Sequence, residues 1–511
     1  MGRGSTTSLT TPARSPAVKI ALATPEFQPI LRRTQLGEVA GSLAQALKRS
    51  GADLQVFLPY GADLALELIE DLVESGSVRV KDGRRKTQVK IWTGRVGEVP
   101  IHLFDHPELF RDRHPYGGED GPYADNWRRY AVFSRAVLES LTVLNFEPDV
   151  IHCLDWTTGL IPLFRELEYV PLQPEHPAAK AGTFMHVQNL AMQGAFEREI
   201  LPDIGLSRHE FIAVGGVEHL GKVNFLKTGI EYATIVSTYS PAMAERVKEI
   251  DRGYGLEEVF RRRTKELVGI ANGIDYAAWD PANDPLLPGT YSIDDKTLLG
   301  KRKCKAALQS SLSLDSGPRT LLAAAIGRFD ADSGFDVFGE TLTAILERNI
   351  ELVLMGTGPA EIVERIRTME SSFAGRCRFI DGYHAATAHT LVAGADLLIM
   401  PAPAHPSNSL GAIAQRYGTV PIAYSRSGLE DTIVDLAADL RAGTGVFFEP
   451  YGPGPLLEAV DLARKLYKDA AKWKQIVFRC LKQDFSWEAT AAEYMKAYRR
   501  VTRRTKGKLA K

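Results

Sequence analysis

Residues 320–356 read TLLAAAIGRFDADSGFDVFGETLTAILERNIELVLMG, and this stretch decides the fold class. Two short apolar runs, TLLAAAIGR (Thr320–Arg328) and ELVLMG (Glu351–Gly356), flank an amphipathic segment. That is the pattern of a βαβ unit in a parallel sheet. Outward from it, CRFIDGY (Cys377–Tyr383), DLLIMPA (Asp396–Ala402), TVPIAY (Thr419–Tyr424) and TGVFFEP (Thr444–Pro450) extend the series. An earlier series holds strands at Val18–Thr24, Asp53–Tyr60, Asp149–Asp155, Gly182–Val187 and Tyr232–Thr238, with a helix over Leu36–Arg49. Between the two, ANGIDYAAWDPANDPLLPGTYSIDD (271–295) is rich in Gly, Pro, Asn and Asp and reads as a linker. The pattern predicts an α/β protein with two Rossmann-like, doubly wound parallel-sheet domains. In such sheets ligands bind at the carboxyl ends of the strands, so a cleft between the two domains is the expected place for chemistry.

Composition narrows the function classes. The chain has 511 residues, 44% hydrophobic and 24% charged, with 62 Lys and Arg against 63 acids and a net charge of −1. Nucleic-acid binders carry a basic excess, so a nucleic-acid partner is not expected, although a local basic cleft for a phosphorylated ligand fits. The four cysteines (Cys153, Cys304, Cys377, Cys480) form no CxxC pair, which argues against zinc ribbons and for a reducing, cytoplasmic compartment. No apolar run approaches the ~18 residues of a membrane span. Residues 1–17 are Ser, Thr and Pro-rich and contain no acid. They read as a disordered tail, a targeting stub being the other reading. At the other end Ser486 can cap a helix over 486–505, with Trp487, Ala491, Tyr494 and Tyr498 on one side. A basic tail, 506–511, follows; its plain reading is a solvated helix end.

Four signals point toward chemistry without naming a reaction. Gly356 and Gly358, directly after a strand, let backbone approach a nucleotide phosphate, but a tight turn explains them equally. Asp330 and Asp332 form a DxD pair whose ordinary reading is a solvated loop, and no metal site is assigned there. Arg328, at a strand end, suits a diphosphate or a surface ion pair. His186 and Gln188, two apart, share a strand face, and His186 also fits as a core histidine.

Taken together, HLFDHPELF (102–110), YADNWRRYAVFSRAVLE (123–139), HCLDWTTGL (152–160), NLAMQGAF (189–196), KVNFLKTGIEYA (222–233), NGIDYAAWDPANDPLLP (272–288), GYHAATAH (382–389), QRYGTVPIA (415–423) and DFSW (484–487) resemble the bacterial glycogen synthase and plant starch synthase family. The resemblance runs from about Val18 to Val501. It implies a GT-B fold, with an acceptor-binding domain at 18–270, a nucleotide-sugar domain at 271–485 and a terminal helix crossing back to the first. It also implies transfer of glucose from ADP-glucose to the 4-hydroxyl of an α-1,4-glucan or maltooligosaccharide, with retention and with no metal or cofactor.

By the same resemblance Arg328 falls on the diphosphate-binding arginine and Tyr383 on the aromatic residue that stacks on adenine. Gly356 and Gly358 fall on the nucleotide turn, Asp155 on the Asp-Trp motif and Asn272 on NGID. The catalytic positions depart from the family. Where it has Lys-Thr-Gly-Gly-Leu, this chain reads Arg32-Arg33-Thr34-Gln35-Leu36; Ser333 replaces a lysine, His405 a glutamate, and Gln188 the first residue of a His-Asn pair. A Thr-Gly-Gly-Leu loop becomes Arg426-Ser427-Gly428-Leu429. One charge or donor at a reacting centre is worth ~3 kcal/mol, so these losses predict a slowed or altered transferase. A catalytically silent glucan- or nucleotide-binding regulator of polysaccharide synthesis, or a transferase for another sugar nucleotide, are the other readings. Arg33 or Arg426 reaching the phosphates from a new direction is the compensation to look for.

Overall fold

The computed structural model describes residues 17–250, 252–315, 317, 319–403 and 409–509. Readings that concern the tail before Ala17, His405 and the last two residues fall outside them. The chain divides into two compact units. The first comprises the chain up to His186, Met192–Val236 and the segment from Tyr494 onward; the second comprises Val187–Ala191 and Ser237–Glu493.

In the first unit the strands β1 (Lys19–Ala23), β2 (Asp53–Pro59), β3 (Glu70–Asp82), β4 (Arg85–Val96), β5 (Val99–Asp105), β6 (Val150–Leu154) and β7 (Gly182–Val187) lie in the order β7-β6-β1-β2-β5-β4-β3. β1 pairs in parallel with β2 and β6, and β6 with β7. Helix α1 (Gln35–Arg49) returns the chain from β1 to β2. Thr34 caps it by accepting the Leu36 N–H (3.1 Å), and Leu36, Val39, Ala40, Leu43, Ala44 and Leu47 are its buried stripe. Helix α2 (Asn126–Val143) precedes β6.

The sheet is mixed, because β3, β4 and β5, absent from the expected strand series, form antiparallel pairs. β3 and β4 are joined by the two-residue loop Gly83-Arg84, closed by the Asp82–Arg85 pair, with Gly83 at a left-handed φ of +62° in the first loop position. Val78, Val80, Val89 and Ile91 are buried, while most of the remaining residues of the ribbon are exposed or half-buried.

The second unit holds a wholly parallel sheet of β8 (Leu321–Arg328), β9 (Ile350–Thr357), β10 (Cys377–Asp381), β11 (Leu397–Met400), β12 (Val420–Tyr424) and β13 (Val446–Phe448). Their order is β10-β9-β8-β11-β12-β13. Helix α3 (Phe335–Glu347) connects β8 to β9, and α4 (Ala385–Gly394) connects β10 to β11. β9, β11 and β12 and the first five residues of β8 are apolar runs buried along nearly their whole length, which makes them legible. In the edge strand β10 only Cys377 is buried. The linker is pinned within this unit. Asp284 accepts hydrogen bonds from the Tyr417 hydroxyl (2.6 Å) and Leu286 N–H (2.9 Å) and contacts His389 Nδ1 (2.8 Å).

The terminal helix α5 (Trp487–Leu509) is longer than the expected 486–505. Ser486 caps it, its Oγ accepting from Ala489 N–H (3.2 Å). Within the first unit Tyr494, Tyr498 and Val501 are completely buried, and the Tyr498 hydroxyl bonds to His152 Nδ1 (2.8 Å). No helix among the described residues is long and apolar enough to cross a membrane.

Candidate functional site

Each sheet has one place where the chain leaves a central strand in opposite directions, and both groups of candidate residues gather at the carboxyl ends there. In the second unit that place lies between β8 and β11. A cavity of about 360 Å³ opens at it, lined by Gly327, Arg328, Ser333, Phe335, Met400 and Pro401, among others. Arg328 ends β8 with its side chain 78% exposed. Its Nε donates to Asp330 Oδ2 (2.8 Å), and Ser333 N–H donates to Asp330 Oδ1 (2.9 Å). The Ser333 contact, with Arg328 alongside, holds the Asp330 carboxyl below its ordinary range. The first residue of the DxD pair is thus engaged with Arg328. Among the described residues no group of three or more His, Cys, Asp or Glu is arranged to hold a metal.

The glycines have a structural reason. Gly327 and Gly356 are register partners. A Cβ on Gly356 would lie 1.7 Å from the Gly327 carbonyl oxygen, and one on Gly358 would lie 2.7 Å from that of Phe329. Only glycine permits the two strand ends to approach so closely. Gly382 N–H donates to the Gly356 carbonyl (2.8 Å), which sets Tyr383 beside the same turn, 61% exposed. The strand expected through Tyr383 stops at Asp381, and Gly382 (φ +88°) turns the chain there. Arg328, Ser333, Gly356, Gly358 and Tyr383 are therefore brought together. Asn272 and Gln188 meet elsewhere in the unit, Asn272 Nδ2 donating to Gln188 Oε1 (3.2 Å). The strand through His186 ends at Val187, and His186 itself is fully buried against Tyr494, whose hydroxyl reaches its Nδ1 (3.2 Å). It is a core histidine.

In the first unit the corresponding place lies between β1 and β6. The loop after β1 is organised by Glu26, a fully buried acid that sequence reasoning did not single out. Its carboxylate accepts the N–H groups of Arg33 (2.5 Å) and Thr34 (2.7 Å), the Thr34 hydroxyl (2.8 Å) and the Tyr116 hydroxyl (2.6 Å). Burial and this carboxylate push the Tyr116 phenol well above its usual range. Arg32 pairs with Glu38 (2.8 Å); Arg33 pairs with Asp63 and contacts His114 Nδ1 (2.8 Å). Arg426, in the second unit, pairs with Glu249 (2.9 Å). Both candidates for a compensating cation are already ion-paired.

Asp155 follows β6 with φ +56° and ψ −173°, a conformation all but confined to glycine that stores roughly 1–3 kcal/mol of strain in any other residue. Its N–H donates to the His186 carbonyl (3.0 Å), and its carboxylate is near enough to Tyr116 to help raise that phenol. Asp155, Arg32 and the Glu26 loop are thus placed at one sheet end. Strain in a buried acid at a switch point makes Asp155 a candidate functional residue.

Two Rossmann-like units of this kind, each with charged groups at its switch point, fit the GT-B class of fold. A family model for the starch synthase catalytic domain matches residues 19–262. Glycogen synthase 2 of Geobacter sulfurreducens is 34% identical over 485 residues, covering 94% of this chain and 98% of that protein. The glycogen synthase of Anaeromyxobacter sp. (strain Fw109-5) is 34% identical over 490 residues, covering 94% and 99%. Among solved structures, the catalytic domain of Starch Synthase IV from Arabidopsis thaliana, bound to ADP and acarbose, superposes with a TM-score of 0.80. It shares 30% identity, and the match covers 96% of this chain and 100% of that one. The chain belongs to the glycogen and starch synthase family of glycosyltransferases.

Proposed function

We propose that this protein binds ADP-glucose at the strand ends of its second unit and transfers glucose to the non-reducing end of an α-1,4-glucan, at a rate orders of magnitude below that of a family member with the full catalytic set. Arg328 takes the diphosphate, Tyr383 stacks on the adenine, and the Gly356–Gly358 turn lets backbone come close. Asp155 and Asn272 keep their family positions on the sugar side. The observation that carries the reduced rate is the Glu26 loop. The amides of Arg33 and Thr34 are donated to a carboxylate of the protein itself, and Arg32 and Arg33 are neutralised by Glu38 and Asp63. With Ser333 in place of a lysine, Arg328 faces the departing diphosphate without a second cation, and it carries Asp330 as its partner.

A second reading is a silent binder of nucleotide or glucan that regulates polysaccharide synthesis. It rests on the same ion pairs: if neither Arg33 nor Arg426 leaves its partner, binding outlasts chemistry. Calorimetry with ADP tests the shared premise. Micromolar-to-millimolar binding that weakens about tenfold or more in Arg328→Gln is expected, as a lost charged hydrogen bond requires. ADP affinity indifferent to Arg328→Gln overturns the slow-synthase reading and the nucleotide-binding form of the second. Glucose transfer measured with ADP-, UDP- and GDP-glucose on glycogen then separates a slow synthase from a silent binder or from a transferase for another donor.

A further inference from the structure

The first unit has a cavity of its own, which the proposed transfer reaction does not use. It measures about 840 Å³ and is lined by Lys19, Glu147, Asp149, Lys496, Arg499, Arg503 and Lys506, with Ala17, Val18 and Thr502. It sits where β1 begins and β6 is about to begin. That is the amino end of the sheet, separated from the Glu26 loop by the length of β1, on the order of 13 Å.

The cations form a stripe. Lys496, Arg499, Arg503 and Lys506 are spaced three, four and three residues apart on α5, so they share one face over about 15 Å of helix. The opposite face, Ala497, Tyr498, Val501 and Thr505, is buried. Among the described residues Arg499, Arg503 and Lys506 form no ion pair. Like charges three and four apart on a helix repel, and the helix dipole rewards cations only in the last turn. The dipole accounts for Lys506 and Lys508 but not for Lys496 and Arg499, ten or more residues from the end. The two carboxylates differ in role: Asp149 is occupied by the Lys19 N–H (3.0 Å), whereas Glu147 is exposed at the rim.

We propose that this groove is a binding site for a small ligand carrying phosphoryl groups, separate from the donor site. Arg499 and Arg503 offer guanidinium forks to phosphate oxygens, Lys496 and Lys506 extend the field, and Glu147 can accept a hydroxyl from a ligand that has one. Five cations against two carboxylates concentrate positive charge here in a chain of net charge −1.

The test is calorimetry on the full chain at low ionic strength, in the Arg328→Gln background so that the donor site does not contribute. Tripolyphosphate and a hexose monophosphate serve as separate probes. At least one is expected to bind at a single site. Adding Arg499→Gln with Arg503→Gln is expected to weaken that binding about tenfold or more, with helicity unchanged because glutamine is as good a helix former as arginine. Tighter binding of tripolyphosphate assigns the ligand to a phosphate chain; tighter binding of the hexose phosphate assigns it to a phosphorylated sugar. Equal affinity in the two proteins, or no binding of either probe, overturns the proposal. Neither result bears on ADP binding through Arg328.

Discussion

Gly356 shows how one residue can be read for function and turn out to carry structure as well. Its missing Cβ leaves room for the carbonyl of Gly327, a residue that lines the cavity between β8 and β11. Gly356→Ala is expected to destabilise the second unit by about 1–3 kcal/mol, measured by denaturant unfolding, and to weaken ADP binding because the β8 and β9 ends must part. Glu26→Gln replaces an oxygen that accepts backbone and side-chain donors with an NH₂ group, and is expected to cost about 1–3 kcal/mol in thermal stability. Arg328 is legible because it ends a clear apolar run, whereas Ser333 and Tyr383 are legible only through the family resemblance. Glu26 is legible in neither way: an acid in a loop reads as solvated, and only the fold shows that Tyr116, ninety residues away, closes over it. The pairing of Arg32 with Glu38 was within reach, since Glu38 stands in the first turn of a helix already recognised.

At the scale of elements, the central parallel strands of the second unit match their expected bounds closely, because burial on both faces leaves an unbroken apolar run. The outer strands are shorter than expected, Cys377–Asp381 and Val446–Phe448. The β3–β4 ribbon was missed because its strands are largely polar and exposed, with buried residues only at alternate positions such as Val78 and Val80. The Gly83-Arg84 step between two alternating segments was the available signal. The linker is a firmer element than its composition suggests. Burial works to raise the Asp284 carboxyl, but the hydrogen bonds from Tyr417 and His389 outweigh it and leave the group below its ordinary range. A depressed carboxylate contributes stability above the unfolded pKa, about 4, and loses it as pH falls through the folded value. Asp284→Asn is therefore expected to be less stable than the parent at neutral pH. The gap should narrow in melts recorded below pH 4. A gap constant with pH would remove Asp284 from the linkage.

For the whole molecule, near-neutral charge is compatible with an anionic donor because the cations are local, at Arg328 on one sheet end and along α5 on another. The terminal helix contributes Tyr494, Tyr498 and Val501 to the first unit's interior. Deleting Tyr494–Lys511 is expected to destabilise that unit by ~3 kcal/mol or more, with His152 losing its Tyr498 partner. Circular dichroism melts of the truncated chain check this. Family membership was legible from ordered motifs alone. The state of the catalytic charges was not, because which carboxylate neutralises which arginine is a property of the folded loops.

Missing charges at the site are expected to slow the transfer step, and kcat for glucose transfer from ADP-glucose to glycogen, in the parent and in Ser333→Lys/Gln188→His/His405→Glu, measures it. A slow parent and a rise of about a hundredfold or more in the triple variant are expected, since one well-placed group is worth ~3 kcal/mol. A triple variant no faster than the parent, or a parent already turning over at about 10 s⁻¹, the median for enzymes, would contradict it.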